Sequence, residues 1–301
     1  MESPAKSVLI IGYGEMGHAM EHLLGVRHRL AYWDIRPLTG HPAVDLEAAA
    51  ATADFVIYCV PVTPLAELAA RVLPALTQDS LSLSVAKGLD ERGRPAAQIF
   101  ADVCADACRY GVLYGPMIAE EIRAGRPAFA QAGVSHADSY PAVAGLFAGS
   151  GLALEYSADI TGISWASVLK NVYAILFGAA DELHLGDNVR GLLAVAALRE
   201  MQAIVAGKGG QAATAQQLAG LGDLITTATS AGSHHRDLGR RLAHGECGRL
   251  AGEGIHTLAM VRKFKLVDVE NYPLFRLVET LVDEPGDVRG QMLDSLATLN
   301  P

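Results

Sequence analysis

Two lysines stand in surroundings that make them candidates for chemistry in this 301-residue chain. Lys170 is the single charged residue between Gly162 and Ala180, an apolar stretch that predicts a helix buried on all sides. A lysine inside such a helix needs a carboxylate, a hydrogen-bond network or a polar cleft. Two interpretations follow: a lysine whose ammonium group reaches the surface, and a catalytic lysine that donates a proton at the edge of a cleft.

Lys87 is the second candidate, because it directly follows the predicted strand Ser80–Ala86. In a doubly wound sheet, ligands bind outside the carboxyl ends of the strands. A lysine at such an end can contact a ligand. The alternative for Lys87 is a solvated lysine in a loop.

A third group lies in the segment GLGDLITTATS, from Gly220 to Ser230. It combines glycines, one acid and four hydroxyl side chains. An N-cap followed by a hydroxyl-rich first turn is the structural interpretation. The functional interpretation places Asp223 opposite the buried Lys170, where its charge would offset the cost of burying the lysine.

The N-terminal segment carries the pattern of a dinucleotide-binding turn. A β-branched run, Ser7 to Ile11, is followed by Gly12, Gly14 and Gly17, and a helix opens at the last of these. A strand, a glycine turn and a helix in this order are the context that the fingerprint requires. Gly12 permits the tight turn, Gly14 lets the backbone approach a pyrophosphate, and Gly17 allows close packing of helix and strand.

Asp34 supports the same interpretation and indicates the cofactor. It ends the second predicted strand, Arg29–Trp33, about 20 residues beyond the turn, where the ribose-binding acid belongs. A carboxylate there accepts hydrogen bonds from ribose hydroxyls and repels a 2′-phosphate, so we predict NAD as the cofactor. Arg36, two residues later, is placed to reach a phosphate and keeps NADP as the alternative.

The elements that must position these residues alternate between strands and helices up to about residue 160. Further strands are predicted at Asp54–Val60 and Gly111–Tyr114, and a helix at Ala96–Cys108. This order predicts an α/β fold, an N-terminal Rossmann-type doubly wound parallel sheet, followed by a mainly helical C-terminal domain. We place the domains at 1–159 and 160–301. Helices are predicted in the second domain at Gly162–Ala180, Leu192–Ala206, Ala212–Leu221 and Leu258–Val267.

Composition narrows the classes of partner. The net charge of −9 argues against nucleic acid and anionic membrane surfaces. Polar residues interrupt the apolar stretch around Lys170, so we do not expect it to span a membrane. The four cysteines, Cys59, Cys104, Cys108 and Cys247, form no paired CxxC framework; Cys104 and Cys108 are expected on one buried helix face. No signal peptide is recognised, and we predict a cytoplasmic protein and a homodimer, with no metal site.

Several motifs together resemble those of the NAD(P)-dependent glycerol-3-phosphate dehydrogenase family. They follow that family's order from Ser7 to about Pro273. The matching residues are the glycine turn at Gly12, Lys87-Gly88-Leu89, Gly115-Pro116-Met117-Ile118-Ala119-Glu120-Glu121, Leu169-Lys170-Asn171, Gly186-Asp187-Asn188, Glu200-Met201, the segment beginning at Gly220, and Glu253-Gly254-Ile255-His256-Thr257.

The resemblance implies a reductase that converts dihydroxyacetone phosphate and NADH to sn-glycerol 3-phosphate and NAD. Lys170 would be the general acid, Lys87 would orient and polarise the carbonyl, Asp223 would hold Lys170, and Thr227 would hydrogen-bond the substrate or the lysine. The residues then expected to bind the cofactor are Gly12, Tyr13, Gly14, Glu15, Met16, Gly17, Asp34, Arg36, Pro61, Lys87, Ala119 and Glu253. Those expected to bind substrate are Lys87, Gly115, Lys170, Asn171, Ser233, His234, His235 and Arg236.

The chain departs from the family at the residues that grip the substrate phosphate. Where the family has Ser-Arg-Asn-Arg, this sequence reads Ser233-His234-His235-Arg236. A guanidinium binds phosphate with two hydrogen bonds and stays charged, whereas a histidine does neither reliably. We therefore expect weak use of dihydroxyacetone phosphate, with affinity that improves as pH falls through the histidine range. A solvated loop is the structural interpretation of the histidine pair.

Two other functions are compatible with parts of the sequence. A β-hydroxyacid-type dehydrogenase would also have a Rossmann domain, a helical domain and a catalytic lysine, but its GxxxKxxxN helix motif is absent because Asn171 directly follows Lys170. A non-catalytic NAD-binding protein would not need Lys87, Lys170, Asp223 and Thr227 together.

Overall fold

The computed structural model describes residues 4–104, 108–246, 250–284 and 286–299. Cys247 lies outside the described residues. Within the described ranges, seven strands form one sheet, in the order β2-β1-β3-β4-β5-β6-β7. Their bounds are β1 Ser7–Ile11, β2 Arg29–Trp33, β3 Phe55–Tyr58, β4 Leu81–Ser84, β5 Arg109–Tyr114, β6 Ala128–Val134 and β7 Leu152–Ser157.

The sheet confirms the predicted fold class. Strands β1 to β5 pair in parallel, and β1, β3 and β4 are almost wholly buried because helices cover both faces. The sequence did not predict β6 and β7. Strand β6 runs antiparallel to β5, and β7 runs parallel to β6. The segment of β6, AFAQAGV, is rich in alanine and has a single β-branched residue, Val134, so its pattern does not indicate a strand.

Thirteen α-helices are assigned within the described residues. Their bounds are α1 Glu15–Leu24, α2 Leu46–Ala51, α3 Leu65–Val72, α4 Ala96–Cys104, α5 Ala119–Arg123, α6 Tyr140–Leu146, α7 Ile160–Glu182, α8 Asp187–Gly207, α9 Asp223–Thr229, α10 His234–Ala243, α11 Glu253–Phe264, α12 Pro273–Asp283 and α13 Val288–Thr298.

Helix α7 is the centre of the helical half, as the sequence predicts. Asp159 caps it by accepting a hydrogen bond from the Gly162 N–H at 2.8 Å. The helix is buried continuously from Gly162 to Ala180, and residues of α8 to α13 pack around it. It alone, among the described residues, is long and apolar enough to cross a membrane, but 89% of its most apolar window is buried inside the protein, as expected of a core helix.

Helices α7 and α10 pack at unusually close range. A Cβ on Gly178 of α7 would overlap the carbonyl of Arg236, and a Cβ on Gly239 of α10 would overlap the carbonyl of Ile175. Two glycines facing each other's backbones therefore set the distance between the helices. The contact places the first turns of α10 against the part of α7 nearer its C-terminal end.

Three local predictions are wrong. The helix expected to reach Cys108 is assigned only to Cys104 within the described residues, and Cys108 lies in a bend outside it, joined to Cys104 by a disulfide. The segment predicted as a helix from Ala212 to Leu221 is instead a 3-10 turn, Ala212–Gln216, followed by a π turn, Leu218–Gly222. The histidine pair does not lie in a solvated loop, because α10 begins at His234.

The division into two domains remains a prediction. Strand β7 ends at Ser157 and α7 begins at Ile160, close to the predicted boundary. Ile163 near the start of α7, however, packs into the core beneath the sheet, so the two halves share buried residues.

Candidate active site

The glycine turn after β1 has the shape of a phosphate-binding loop. Gly12 has a φ of +91°, in the left-handed region that favours glycine. A Cβ on Gly17 would overlap the Gly12 carbonyl, so α1 lies closer to the turn than a side chain would allow. Gly14 precedes the first turn of α1, and a Cβ added there would meet no atom within 4 Å. The N-terminus of α1 therefore borders space that a pyrophosphate can enter.

Asp34 lies beside this turn, directly after β2. Its Oδ2 accepts from the Tyr13 N–H at 2.9 Å, and its Oδ1 accepts from the Arg36 N–H at 3.0 Å. Burial raises the pKa of Asp34, but these hydrogen bonds and the charge of Arg36 outweigh it, so the net pKa is lowered and the carboxylate is ionised. A cavity of about 470 Å³ is lined by Asp34, Gly12 and Gly14. The carboxylate keeps lone pairs that can accept from hydroxyl groups.

Three other residues expected at the cofactor take different positions. Arg36 lines the same cavity as Asp34, but its side chain is 82% exposed. Its Nε lies 3.6 Å from Oδ1 of Asp34. Tyr13 borders the turn by its backbone, since its hydroxyl donates to Glu21 at 2.5 Å. Glu15 accepts from Arg123 at 2.7 Å on the surface.

A second cavity, of about 290 Å³, connects the glycine turn to Lys87. It shares Cys59, Val60 and Pro61 with the first cavity. Its lining also includes Met16, Lys87 and Glu253. Ala119, at the start of α5, is half-buried and lines neither cavity. The two cavities form a continuous path from Asp34 to the lysine.

The structure brings the four predicted catalytic residues together around one carboxylate. Lys87 Nζ donates to Asp223 Oδ2 at 2.6 Å and to the Gly115 carbonyl at 3.0 Å. Lys170 Nζ lies 3.3 Å from the same Oδ2 and donates to Thr227 Oγ1 at 2.8 Å. Gly115, expected to bind substrate, thus holds Lys87 through its carbonyl. Asp223 and Thr227, which accept these hydrogen bonds, both lie on α9.

Burial and charge set the protonation of this cluster. Burial lowers the pKa of Lys170 to about 8; Asp223 opposes that effect and Lys87 adds to it. Burial raises the pKa of Asp223, but the charges of Lys170 and Lys87 outweigh it and hold the pKa below its usual range. The carboxylate is therefore ionised, and Lys170 loses its proton within the range of ordinary enzyme assays.

Each lysine retains hydrogen-bonding capacity. An ammonium group has three N–H donors. Lys87 uses two, on Asp223 and Gly115, and Lys170 uses one on Thr227 while facing Asp223. One N–H on each lysine therefore remains for a carbonyl oxygen placed between them. Such an oxygen would receive positive charge from two sides as negative charge develops on it.

Asn171 joins this cluster to the cofactor side. It is fully buried on α7, and its Nδ2 donates to Glu253 Oε2 at 3.1 Å. Its Oδ1 has no hydrogen-bond partner among the described residues. Glu253 lines the cavity beside Lys87 and a further one of about 490 Å³. The amide thus links α7 to the start of α11.

Two residues expected to bind substrate have structural roles instead. Ser233 caps α10 by accepting from the Arg236 N–H at 3.3 Å. The Arg236 guanidinium forms an ion pair with Asp181 near the end of α7, with Nε donating at 2.9 Å and Nη2 lying at 2.7 Å. This ion pair holds the start of α10 to α7, and Asp181 also accepts from Arg190 of α8. Arg236 is therefore committed away from the lysines.

The two histidines differ in position. His234 is exposed at the first turn of α10, whereas His235 is partly buried and its Nδ1 is inaccessible to solvent. Burial, reinforced by the positive charge of Lys170, lowers the pKa of His235 to about 3. This imidazole is therefore neutral throughout the ordinary histidine range. The expectation that phosphate affinity improves as pH falls through that range stays a prediction.

Sequence reasoning missed part of the wall of the first cavity. Trp33 and Arg71 line it, and the Arg71 guanidinium lies 5.8 Å from the centre of the Trp33 ring. Trp33 is the last residue of β2, so its position next to Asp34 was an available signal. Arg71 lies on α3, and only the tertiary structure brings it to this cavity.

Comparison with known proteins agrees with this geometry. Residues 36–139 match the family described as NAD-dependent glycerol-3-phosphate dehydrogenase N-terminus, and residues 159–291 match the corresponding C-terminus. A glycerol-3-phosphate dehydrogenase of Deinococcus radiodurans is 35% identical over 237 residues, which cover 78% of this chain and 70% of that protein. One from Aromatoleum aromaticum is 31% identical over 324 residues, covering 95% and 97%.

A solved structure shows the same fold. The crystal structure of glycerol-3-phosphate dehydrogenase from Coxiella burnetii superposes with a TM-score of 0.83 at 24% sequence identity. The superposition covers 97% of this chain and 99% of that one. The Rossmann-type sheet and the helical second half are thus arranged alike in both proteins.

Proposed function

The chain belongs to the NAD-dependent glycerol-3-phosphate dehydrogenase family, and from that premise we propose that it reduces a ketone to a secondary alcohol with NADH, with Lys170 and Lys87 acting on the ketone oxygen. The enzyme is an NAD(P)-dependent oxidoreductase acting on a CH–OH group. Family membership favours this function over a β-hydroxyacid dehydrogenase or a non-catalytic NAD-binding protein.

The residues along the glycine turn fit a nicotinamide dinucleotide. Gly14 leaves the α1 N-terminus open, and Asp34 presents an ionised acceptor over a cavity of about 470 Å³. We propose NAD as the preferred form, because the Asp34 carboxylate would repel a 2′-phosphate and the exposed Arg36 offers it no fixed partner. When bound, the reduced cofactor supplies the hydride.

The lysines act on the oxygen of the ketone. As the carbonyl carbon accepts hydride, the C=O π electrons move to oxygen, which takes the Lys170 proton. Lys170 is left neutral and regains a proton from solvent. Lys87 donates a hydrogen bond to the same oxygen and stabilises its negative charge, while Asp223 holds both ammonium groups in place. The overall change is ketone, NADH and a proton to alcohol and NAD.

The reaction of the family, dihydroxyacetone phosphate to sn-glycerol 3-phosphate, is the reference reaction for this enzyme. We propose that the chain performs it weakly. Its support is the loss of the arginine and asparagine at His234 and His235, together with the ion pair that commits Arg236 to Asp181. A phosphate would therefore lack a fixed guanidinium at the place where the family provides one.

The observation that carries the proposed reaction is the pair of lysine Nζ atoms, 2.6 Å and 3.3 Å from one buried carboxylate oxygen, at the end of the cofactor path. The test is NADH oxidation with a panel of small ketones that includes dihydroxyacetone phosphate. With 4-deuterated NADH, deuterium should appear on the carbinol carbon of the product. Binding of NADH without turnover of any ketone would contradict the proposal.

We also propose that the enzyme is a homodimer and acts in the cytoplasm. For the dimer, the support is α8, where the apolar Val195 is 49% exposed within the sequence LLAVAAL. Sedimentation velocity of the native protein and of Val195→Glu tests the dimer, and a monomeric native protein would contradict it.

For the cytoplasm, the support is the dependence of the reaction on reduced nicotinamide cofactor. Cell fractionation tests this location.

A further inference from the structure

A carboxylate outside the lysine cluster holds the residue at the centre of the glycine turn. Glu21 lies on α1, and its Oε2 accepts a hydrogen bond from the Tyr13 hydroxyl at 2.5 Å, while its Oε1 accepts from the Tyr32 hydroxyl at 2.8 Å. Tyr13 lies in the turn, and Tyr32 lies on β2. One carboxylate therefore joins α1, the turn and the strand that ends just before Asp34.

The two hydrogen bonds to Glu21 are charge-assisted. Burial raises the pKa of Glu21, but the hydrogen bonds from both phenols, with His18 and His41 nearby, outweigh that effect and hold the pKa below its ordinary value. Burial and the hydrogen bond to Glu21 raise the pKa of Tyr13 to about 12, so its hydroxyl keeps its proton and remains a donor. Hydrogen bonds to an ionised acceptor are stronger than those between neutral groups.

Tyr13 is held at two points. Its N–H donates to Oδ2 of Asp34 at 2.9 Å, and its hydroxyl donates to Glu21. Both neighbours of Tyr13 in the chain are glycines, Gly12 and Gly14, which have no side chain and restrict the backbone least. The phenol therefore anchors a stretch of the turn that its neighbours cannot anchor.

Ring contacts keep the Tyr13 side chain in this position. The centre of its ring lies 4.8 Å from that of Tyr32, 4.1 Å from that of His18 and 4.9 Å from that of His41. Such distances are typical of tilted and edge-to-face ring pairs. Phenylalanine in place of Tyr13 would keep these contacts and remove only the hydroxyl. The hydrogen bond is therefore testable apart from the packing.

We propose that Glu21 is a positioning residue for cofactor binding: through the Tyr13 hydroxyl it holds the glycine turn, and with it the Asp34 carboxylate, in the orientation that accepts from the adenosine ribose of NAD. The inference rests on the proposed NAD site at Asp34 and adds a residue to it. Glu21 lines neither cavity of the cofactor path, so it acts through Tyr13. A turn that is already ordered loses less conformational freedom when the cofactor binds.

The orientation of Asp34 should matter more for NADH than for NADPH. The ribose hydroxyls of NADH use the carboxylate as an acceptor, whereas the 2′-phosphate of NADPH is repelled by it. A turn that holds Asp34 less firmly should therefore bind NADH more weakly and lose part of its discrimination against NADPH. A change that merely loosened the turn would weaken both nucleotides alike.

The first test is fluorescence titration of Tyr13→Phe with NADH and with NADPH at neutral pH. NADH should bind about five- to tenfold more weakly than to the native protein, because a hydrogen bond to a charged group is lost and part of its free energy is transmitted to Asp34. The affinity for NADPH should change less, so the ratio of NADH affinity to NADPH affinity should fall. An unchanged ratio would overturn the inference.

Two variants of the carboxylate itself show whether the acceptor is what matters. Glu21→Gln keeps one carbonyl acceptor and should lose less NADH affinity than Glu21→Leu, which keeps none. Tyr140→Phe is the matched control: its hydroxyl donates to the Leu154 carbonyl of β7 at 3.1 Å, at the opposite edge of the sheet from β2, and its removal should change neither affinity. Native NADH affinity in Glu21→Leu would count against the proposal. If Glu21→Leu fails to fold, Tyr13→Phe decides the question.

Turnover separates this inference from the proposed NAD site. In Tyr13→Phe, KM for NADH should rise while kcat at saturating NADH stays near the native value, because neither Tyr13 nor Glu21 contacts the lysine cluster. A lower kcat with an unchanged KM would contradict a positioning role. Native protein that prefers NADH, with variants that keep the full preference, would overturn the inference and leave the NAD site intact. Equal binding of both nucleotides by the native protein would contradict the assignment of Asp34 and the inference with it.

Discussion

The Nζ of Lys87 lies 2.6 Å from Oδ2 of Asp223, within a loop-to-helix contact that spans 136 residues of sequence. The same oxygen is 3.3 Å from Lys170, so the carboxylate binds the strand-end lysine more closely than the helix lysine it was expected to hold. Lys87 is anchored on two sides, by Asp223 and the Gly115 carbonyl. Lys170 is held less closely, and burial lowers its pKa to about 8, which suits a residue that transfers a proton.

Replacing Lys170 should abolish reduction while cofactor binding survives. Lys170→Ala removes the proton donor and one of the two positive charges at the ketone oxygen, and such groups contribute factors of roughly 10²–10³ in rate. The measurement is kcat with the best ketone, alongside NADH affinity from fluorescence titration. Lys263→Ala, on the surface of α11, is the control and should behave as the native protein. A Lys170→Ala variant within about threefold of native activity would return Lys170 to a structural role, given those magnitudes.

The pH profile should show the titration of Lys170. Reduction needs the protonated form, and the pKa is lowered to about 8 by burial. The value of kcat/KM for the ketone should therefore be level below about pH 8 and fall roughly tenfold per pH unit above it. Oxidation of the alcohol needs the neutral form and should rise over the same interval. A reduction rate that stays level to pH 10 would contradict this assignment.

Removing the carboxylate of Asp223 should shift the pH at which kcat/KM for reduction falls. Asp223 favours the cationic form of Lys170, so its loss lowers the pKa of the lysine below its present value of about 8. In Asp223→Asn, reduction should accordingly begin to fall at a lower pH than in the native protein. The readout is the midpoint of the kcat/KM profile, which separates this effect from a general loss of activity. An upward shift would mean that Asp223 does not stabilise the charged lysine.

The cofactor preference should depend on Asp34. Its carboxylate is ionised beside the cavity at the glycine turn, so NADH should bind more tightly than NADPH. Asp34→Ser removes the charge and should reduce the ratio of NADH affinity to NADPH affinity by about tenfold, since hydrogen bonds to charged groups contribute roughly 1.5–3 kcal/mol. Fluorescence titration of both nucleotides measures it. Equal affinities in the native protein would refute the assignment.

The contact between α7 and α10 should be intolerant of a methyl group. A Cβ on Gly239 would overlap the carbonyl of Ile175, and backbone atoms cannot rotate away as a side chain can. Gly239→Ala should lower the free energy of unfolding by about 1–3 kcal/mol or more. Gly191→Ala is the matched control, because that helical glycine meets no atom within 4 Å. Denaturant unfolding of both variants checks the difference; equal stabilities would contradict it.

The sequence alone was sufficient for the elements whose signals are local. The glycine turn, Asp34 at the end of β2 and the apolar helix around Lys170 are each defined within about 25 residues, since turn chemistry and hydrophobic periodicity act over short distances. The order of the motifs identified the family before any contact was known. The same local reasoning failed for β6, because three of its seven residues are alanine and one is glycine, which are uncommon in strands.

The tertiary structure alone decided how the charges are shared. Which lysine lies closer to Asp223, the neutrality of His235 and the commitment of Arg236 to Asp181 all depend on residues far apart in sequence that meet across helices. Burial also sets their energies, because removing water strengthens every charge interaction and disfavours each unpaired charge. Neither the spacing of residues nor their type carries that information, so only the fold shows that His235 is partly buried and neutral while His234 is exposed to solvent.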